Sequence, residues 1–234
     1  MTVFAAVFAR GGSKGVKFKN LREVGGIPLV GRAVRTAALT SVIDQVLCST
    51  DSPAIAAKAT EFGAVVPFLR PKSLSGDTAP EWHAWRHLAD YLVSAGADEA
   101  DLLVSLPATA PLRSVEDVAN AVDTFLTGNF DLVLGISPAP HNPWFNMVVR
   151  QDSGLVSLAA QNLDSRVSRR QDAPLVYNIT TVVYVTTLGF IRGSENMFEG
   201  SVGSVVVPQD RALDVDSEFD LRVADLLLGE GDSS

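Results

Sequence analysis

Two stretches near opposite ends of the chain carry the residue types that handle phosphate and metal. The first is Arg10-Gly11-Gly12-Ser13-Lys14-Gly15-Val16-Lys17-Phe18-Lys19-Asn20. From Arg10 to Arg22 there are five basic residues and no acidic one, in a chain whose net charge is −8. Glycines let the backbone curl, so N–H groups, ammonium and guanidinium groups can converge on one point and hold a polyphosphate. The spacing is not that of a P-loop, which places four residues between its first Gly and Gly-Lys-Ser/Thr. A solvated, Gly-rich basic turn is the plain alternative. Phosphate binding is favoured because an apolar run leads straight into the loop and the basic residues lie in and after the turn.

The second stretch is Asp214-Val215-Asp216. In an extended segment side chains alternate, so both aspartates would share one face, ~6–7 Å apart along the strand. Carboxylates so placed suit Mg²⁺, a hard cation that takes oxygen ligands and keeps room for water and phosphate oxygens. The alternative is a strand end with one aspartate capping the next helix, but Ser217 already supplies a cap. Three further segments are polar and sit in loops. Arg70-Pro71 and Asp77-Thr78 flank one; Arg70 could clamp a phosphate or close a salt bridge. Pro107-Ala108-Thr109-Ala110-Pro111-Leu112-Arg113 is a stiff loop suited to lining a base or ribose pocket. Arg169-Arg170-Gln171 could meet an acidic substrate, although solvation alone explains it. His83 and His87 have metal-like spacing but no third ligand, so a surface or packing role is preferred. Cys48 falls within an expected strand, where an inert buried thiol is the default. No Gly-x-Ser-x-Gly elbow occurs.

The elements that would position these groups alternate strand and helix. Apolar residues 2–9 read as a buried parallel strand ending at the glycine loop. A helix is expected over 29–39, with Leu29, Ala33, Ala37 and Ala38 on one side. Residues 45–49 form the second strand, with Thr50-Asp51 at its end, and Ser52-Pro53 opens a helix to about residue 62. Further strands are expected at 64–69, 101–106, 131–137, 182–186 and 204–207. Further helices are expected at 80–94, 114–126 (capped by Ser114) and 217–228, and the tail from 229 is expected to fray. The rhythm breaks between about 138 and 172, where only 144–150 looks strand-like, so this segment reads as an insertion in a single domain spanning 1–234. The fold class is therefore α/β, a mainly parallel sheet flanked by helices, with ligands beyond the carboxyl ends of the strands.

Bulk properties narrow the field. With 234 residues, 47% of them apolar, the chain can build a sizeable core. The acidic balance argues against nucleic acid or membrane surfaces as partners. One cysteine forms no internal disulfide and fits a reducing compartment. No apolar run reaches membrane-span length, and the first residues read as a strand rather than a signal peptide. A cytoplasmic protein is expected. A basic glycine loop, paired aspartates and a parallel sheet together suggest nucleotidyl transfer. A nucleoside triphosphate would lie over the loop, and an acceptor oxygen would attack its α-phosphate in line and expel pyrophosphate.

Eight pieces in register then look familiar. They are Ala9-Arg10-Gly11-Gly12-Ser13-Lys14-Gly15, Lys19-Asn20-Leu21, Ser49-Thr50-Asp51, Leu69-Arg70-Pro71, Asp77-Thr78-Ala79, Thr109-Ala110-Pro111-Leu112-Arg113, Arg170-Gln171 and Asp214-Val215-Asp216-Ser217-Glu218-Phe219-Asp220-Leu221. In this order they resemble the CMP-sialic acid synthetase (acylneuraminate cytidylyltransferase) family. The resemblance implies a nucleotide-diphospho-sugar-transferase-like fold and transfer of CMP from CTP to an acidic nine-carbon sugar, with Mg²⁺ as cofactor. It implies that Arg10, Ser13, Lys14, Lys19 and Asn20 contact the nucleotide, with Gly11 and Gly12 in the same loop. Arg70, Asp77 and Thr109 join that set. Lys19 and Arg10 act in catalysis with Asp214 and Asp216, which hold the metal. Arg170, Gln171, Thr180 and Thr181 fall in regions that face the sugar. Residues 138–172 correspond to the family's dimerisation element, so a homodimer is expected. The sequence departs from the family at Pro107 (usually Gln), at Glu81 (usually Ser) and at Thr180-Thr181 (usually Asn-Gly). These departures point to a bacterial acid such as legionaminate or pseudaminate as readily as to N-acetylneuraminate. Competing readings are a cytidylyltransferase for a Kdo-type or non-sugar acid, and a non-catalytic nucleotide-binding protein.

Overall fold

A computed structural model describes residues 1–13, 15–160, 167 and 169–231, with side chains to 229. In chain order it contains β1 (Val3–Phe8), the small ribbon β2 (Glu23–Val24) and β3 (Ile27–Pro28), α1 (Leu29–Leu39), β4 (Gln45–Ser49), α2 (Pro53–Glu61) and α3 (Glu81–Ser94). There follow β5 (Leu102–Ser105), α4 (Val115–Thr127), β6 (Leu132–Pro138), β7 (Val148–Arg150), β8 (Val156–Leu158), β9 (Tyr177–Thr187), α5 (Leu188–Gly193), β10 (Val202–Val206) and α6 (Glu218–Gly231).

Six strands form one sheet in the order β10-β6-β9-β5-β1-β4. All neighbours are parallel except β9, which runs antiparallel between β5 and β6. Strand alternation divides β1 between two cores. Phe4, Ala6 and Phe8 face α3 with Trp82, Trp85 and Leu88. Val3, Ala5 and Val7 face the layer built by α1, α2, α4 and α6. On α1 the buried stripe is Leu29, Val30, Ala33, Val34 and Ala37, one broad helical face; Ala38, expected on it, is exposed. Ser52 caps α2 by accepting from Ile55 N–H, with Pro53 at the first helical position. Ser114 and Asp117 close a reciprocal capping box on α4. Ser217 Oγ accepts from Asp220 N–H at 3.3 Å at the start of α6.

Several expected elements differ. Residues 64–69 make only isolated parallel bridges to the 45–50 segment, Leu47 with Val65 and Thr50 with Leu69. Pro67 lies between them and has no N–H to continue a ladder. Of 144–150 only Val148–Arg150 is strand, because the N–H groups of Phe145, Asn146 and Met147 all turn back to the Asn142 carbonyl. β9 begins five residues before 182, so Thr180 and Thr181 lie inside the strand, beside a register shift opposite residues 134–136. Residues 212–216 join no ladder; Val215 is fully buried and its N–H reaches Thr109 O at 2.9 Å. The helix α6 runs past the expected stop at 228 to Gly231. The short α5, capped by Thr187 Oγ1, was not expected. No helix among the described residues is long and apolar enough to cross a membrane.

Candidate active site

The carboxyl ends of β1, β4 and β5 release the glycine loop, Thr50-Asp51 and the 107–113 loop toward one sheet edge. The glycine loop is tied down from both sides. Asn20 is buried and its Nδ2 donates to Arg10 O at 2.9 Å, while Gly11 N–H donates to Asp51 Oδ1 at 2.8 Å. That amide is therefore engaged within the fold. Gly15 is required for close approach: a Cβ there would overlap the Asp216 carbonyl oxygen. Phe18 takes a left-handed conformation (φ 54°) at the entrance to a short 3-10 turn over Lys19–Leu21. The turn brings Lys19 back over the cleft, where its Nζ meets Asp216 Oδ1 at 2.9 Å. Arg22 adds a forked pair with Glu218 of α6, at 2.7 and 3.1 Å.

A cleft of 350 Å³ gathers nine of the expected residues: Arg10, Lys19, Asn20, Arg70, Asp77, Thr109, Thr181, Asp214 and Asp216. Arg10 Nη1 and Asp77 Oδ1 form an ion pair at 2.8 Å. Asp214 and Asp216 both line the cleft, with Val215 turned into the core between them. Burial raises the Asp214 carboxyl above the usual carboxylate range. Thr109, Lys19 and Thr181 pull it back, and the charge of Asp216 pushes it further up. Its Oδ1 is buried without a hydrogen-bond partner. An unpaired buried carboxylate oxygen beside a second carboxylate is a donor set that fits a hard divalent cation. Asp214 and Asp216 stand as a pair, since no group of three or more His, Cys, Asp or Glu suited to a metal occurs among the described residues.

A second cavity of 670 Å³ adjoins the cleft and shares Thr181 and Asp214 with it as walls. Thr180 lines this cavity, but its Oγ1 is occupied by Val182 N–H. Arg170 reaches the rim, donating from Nη2 to Pro140 O at 3.0 Å, whereas Gln171 is exposed and lines neither space. Gly12 and Ser13 stay outside the cleft wall, and Lys14 lies outside the described residues. A further cavity of 380 Å³ between α1 and residues 111–113 holds several arginines, but Arg211 is held there by Asp117 and no pair of carboxylates faces it. The paired aspartates and Lys19 lie in the cleft.

Three contributors were not legible as such. Asp51 anchors the loop. Arg113 is buried and stitches the cleft wall together, donating to the carbonyls of Pro107 (2.6 Å), Thr181 (3.0 Å) and Val182. Burial pushes its guanidinium down to about 9, which leaves it charged at neutral pH. Glu81, noticed only as a departure, enters the cleft at the start of α3. The residue is exposed at the start of α3, and desolvation by the protein around its carboxyl raises it. Trp85 and Arg70 counter part of the shift. His87 packs edge-on against Phe68, a packing role, and Cys48 is buried with its thiol pushed up to about 12 by desolvation.

Comparison with known proteins follows the same lines. A family model described as Cytidylyltransferase matches residues 4–182. Post-translational flagellin modification protein B of Campylobacter coli is 31% identical over 97% of this chain and 95% of its own length. CMP-N,N'-diacetyllegionaminic acid synthase of Campylobacter jejuni is 28% identical over 97% and 94%. A solved CMP:2-keto-3-deoxy-manno-octonic acid synthetase complexed with CTP superposes with a TM-score of 0.73 at 14% identity, covering 99% of this chain and all of the other.

Proposed function

This chain belongs to the cytidylyltransferase family, and from that premise we propose that it couples CTP to an acidic nonulosonate sugar, giving a CMP-sugar and pyrophosphate with Mg²⁺ as cofactor. The observation that carries this reading is the placement of Asp214 and Asp216 opposite Lys19 in a cleft that shares a wall with a second cavity. The cleft takes the nucleotide and the second cavity takes the acceptor. Their common wall, Thr181 and Asp214, marks where the acceptor hydroxyl meets the α-phosphorus. There the acceptor oxygen–phosphorus bond forms as the bond to pyrophosphate breaks.

Asp214 and Asp216 would hold the Mg²⁺, which when bound supplies charge neutralisation for phosphate oxygens. Lys19 and Arg10 add fixed positive charge along the triphosphate, and each must exchange its present carboxylate partner, Asp216 or Asp77, for phosphate. Thr109 and Arg70 line the nucleotide side. Relatives whose names specify legionaminic and pseudaminic acids support a nonulosonate acceptor. The β7–β8 hairpin, with Val148, Val149 and Val156 each more than half exposed, supports a second copy of the chain as its cover.

The test is pyrophosphate release from each of four nucleoside triphosphates against N-acetylneuraminate, N,N'-diacetyllegionaminate, pseudaminate and Kdo. CTP with a nine-carbon acid is the expected productive pair. Absence of turnover with CTP and any of these acids would overturn the proposal.

A further inference from the structure

We propose that Glu81 and Arg70 form a base-reading pair that selects cytosine over uracil, an inference that rests on the cytidylyltransferase reading above. Four acids line the cleft: Asp77 pairs with Arg10, Asp214 and Asp216 form the carboxylate pair facing Lys19, and Glu81 has neither role. A carboxylate turned toward the triphosphate would repel it, so Glu81 faces a part of the nucleotide that donates hydrogen bonds. The geometry of both side chains fits that task. Trp85 Nε1 donates to Glu81 Oε1 at 3.1 Å and fixes the carboxyl group, leaving Oε2 without a partner among the described residues. Arg70 is 6% exposed and held at its base by Arg70 N–H to Thr50 O (2.7 Å) and Nε to Ser75 Oγ (3.1 Å). Its two terminal nitrogens have no acceptor among the described residues. Phe8, Ala84 and Ala108 supply apolar walls to the same cleft, suited to a flat ring.

Cytosine presents an amino donor at N4 beside acceptors at N3 and O2. Uracil presents an acceptor at O4 beside a donor at N3. A fixed carboxylate oxygen beside a fixed guanidinium fork matches the first edge, with Glu81 taking the N4 hydrogen and Arg70 donating to N3 and O2. Against uracil the same pair sets oxygen against oxygen and donor against donor, so discrimination comes from repulsion as well as attraction. Pro107 and Glu81 line the same cleft, and base recognition falls at the start of α3.

The experiment is calorimetric titration of the whole chain, in Mg²⁺ buffer without acceptor, with CTP, UTP and 2′-deoxy-CTP. The wild-type protein is expected to prefer CTP to UTP by about ten- to hundredfold, the scale of one well-placed base pair of hydrogen bonds. In Glu81→Gln the Trp85 N–H holds the amide oxygen and turns the NH₂ toward the base, so the CTP:UTP ratio falls at least tenfold. In Glu81→Ala, CTP binding weakens about tenfold and UTP binding does not, because both the acceptor and the repulsion are gone. Thermal melts of both variants confirm the fold. Wild-type ratios in both variants overturn the proposal. So does an effect confined to CTP against 2′-deoxy-CTP, which would place Glu81 on the ribose. A wild-type protein that binds none of the three overturns the cytidylyltransferase reading itself, so the two failures are told apart.

Discussion

Gly15→Ala isolates the coupling between the glycine loop and the aspartate segment. A methyl group at this position would overlap the main-chain oxygen of Asp216, and backbone cannot swing aside as a long side chain does. Loop and segment would have to part by about 1.3 Å or more to reach ordinary contact. The site lies at the surface, so the cost to folding stays at the low end of overpacking, about 1 kcal/mol. Catalysis is hit harder, because a displacement of about 1 Å in a positioned group costs on the order of 10²-fold, or about 2.7 kcal/mol of barrier. The assay is pyrophosphate release as a function of Mg²⁺ concentration, with Gly193→Ala as a matched control. A Cβ at Gly193 meets nothing within 4 Å, and the residue ends α5. Gly15→Ala should lower kcat about a hundredfold, raise the Mg²⁺ requirement and leave the melting temperature within a few degrees. If both variants turn over like the parent, the loop does not position Asp216 and the reasoning fails.

Other perturbations reach separate links of the same chain. Asp216→Asn should abolish Mg²⁺-dependent turnover while the protein still melts cooperatively; an unchanged rate would remove the metal assignment. Arg113→Met leaves three buried carbonyls without their donor and should destabilise by about 2–4 kcal/mol, read as a fall in Tm of about 5–15 °C. Burial alone would raise the Asp117 carboxyl, but hydrogen bonds from Arg211 and Ser114 hold it below its ordinary value. A depressed folded-state carboxylate adds stability above the unfolded pKa and loses it as pH falls through the folded one. The parent should therefore lose this contribution below about pH 4, and Arg211→Ala should flatten that part of an acid-melting series. Val148→Lys combined with Val156→Lys should shift the mass seen by light scattering from dimer to monomer, and a dimer that persists would place the interface elsewhere.

The sequence made local features legible and left long-range ones hidden. α1 and β4 lie where periodicity placed them, because helical spacing and a short apolar run are decided within ten or so residues. The caps at Ser52, Ser114 and Ser217 were readable for the same reason. The 64–69 segment misled because its composition suits a strand while a single proline denies it a ladder. β9 was underestimated because its first half, Tyr177 to Thr181, is polar and partly exposed and pairs only with the end of β6. In the site, Lys19, Asp214 and Asp216 stood out by type and spacing. Asp51 and Arg113 did not, since their partners lie 40 and 69 residues away, and Glu81 did not, since its place in the cleft depends on how the start of α3 is turned.

The reversed direction of β9 has a consequence for how such a chain can change. Because it runs against its neighbours, its beginning rather than its end arrives at the edge where the parallel strands finish. On the proposed assignment, the residues given to the nucleotide base are encoded before Arg113, whereas the second cavity is lined by residues from Ser137 onward. The seam between the halves is Arg113, and it grips main-chain carbonyls, which every residue type provides. A lineage can therefore recombine at α4 and inherit a new acceptor chamber without relearning which nucleotide to use.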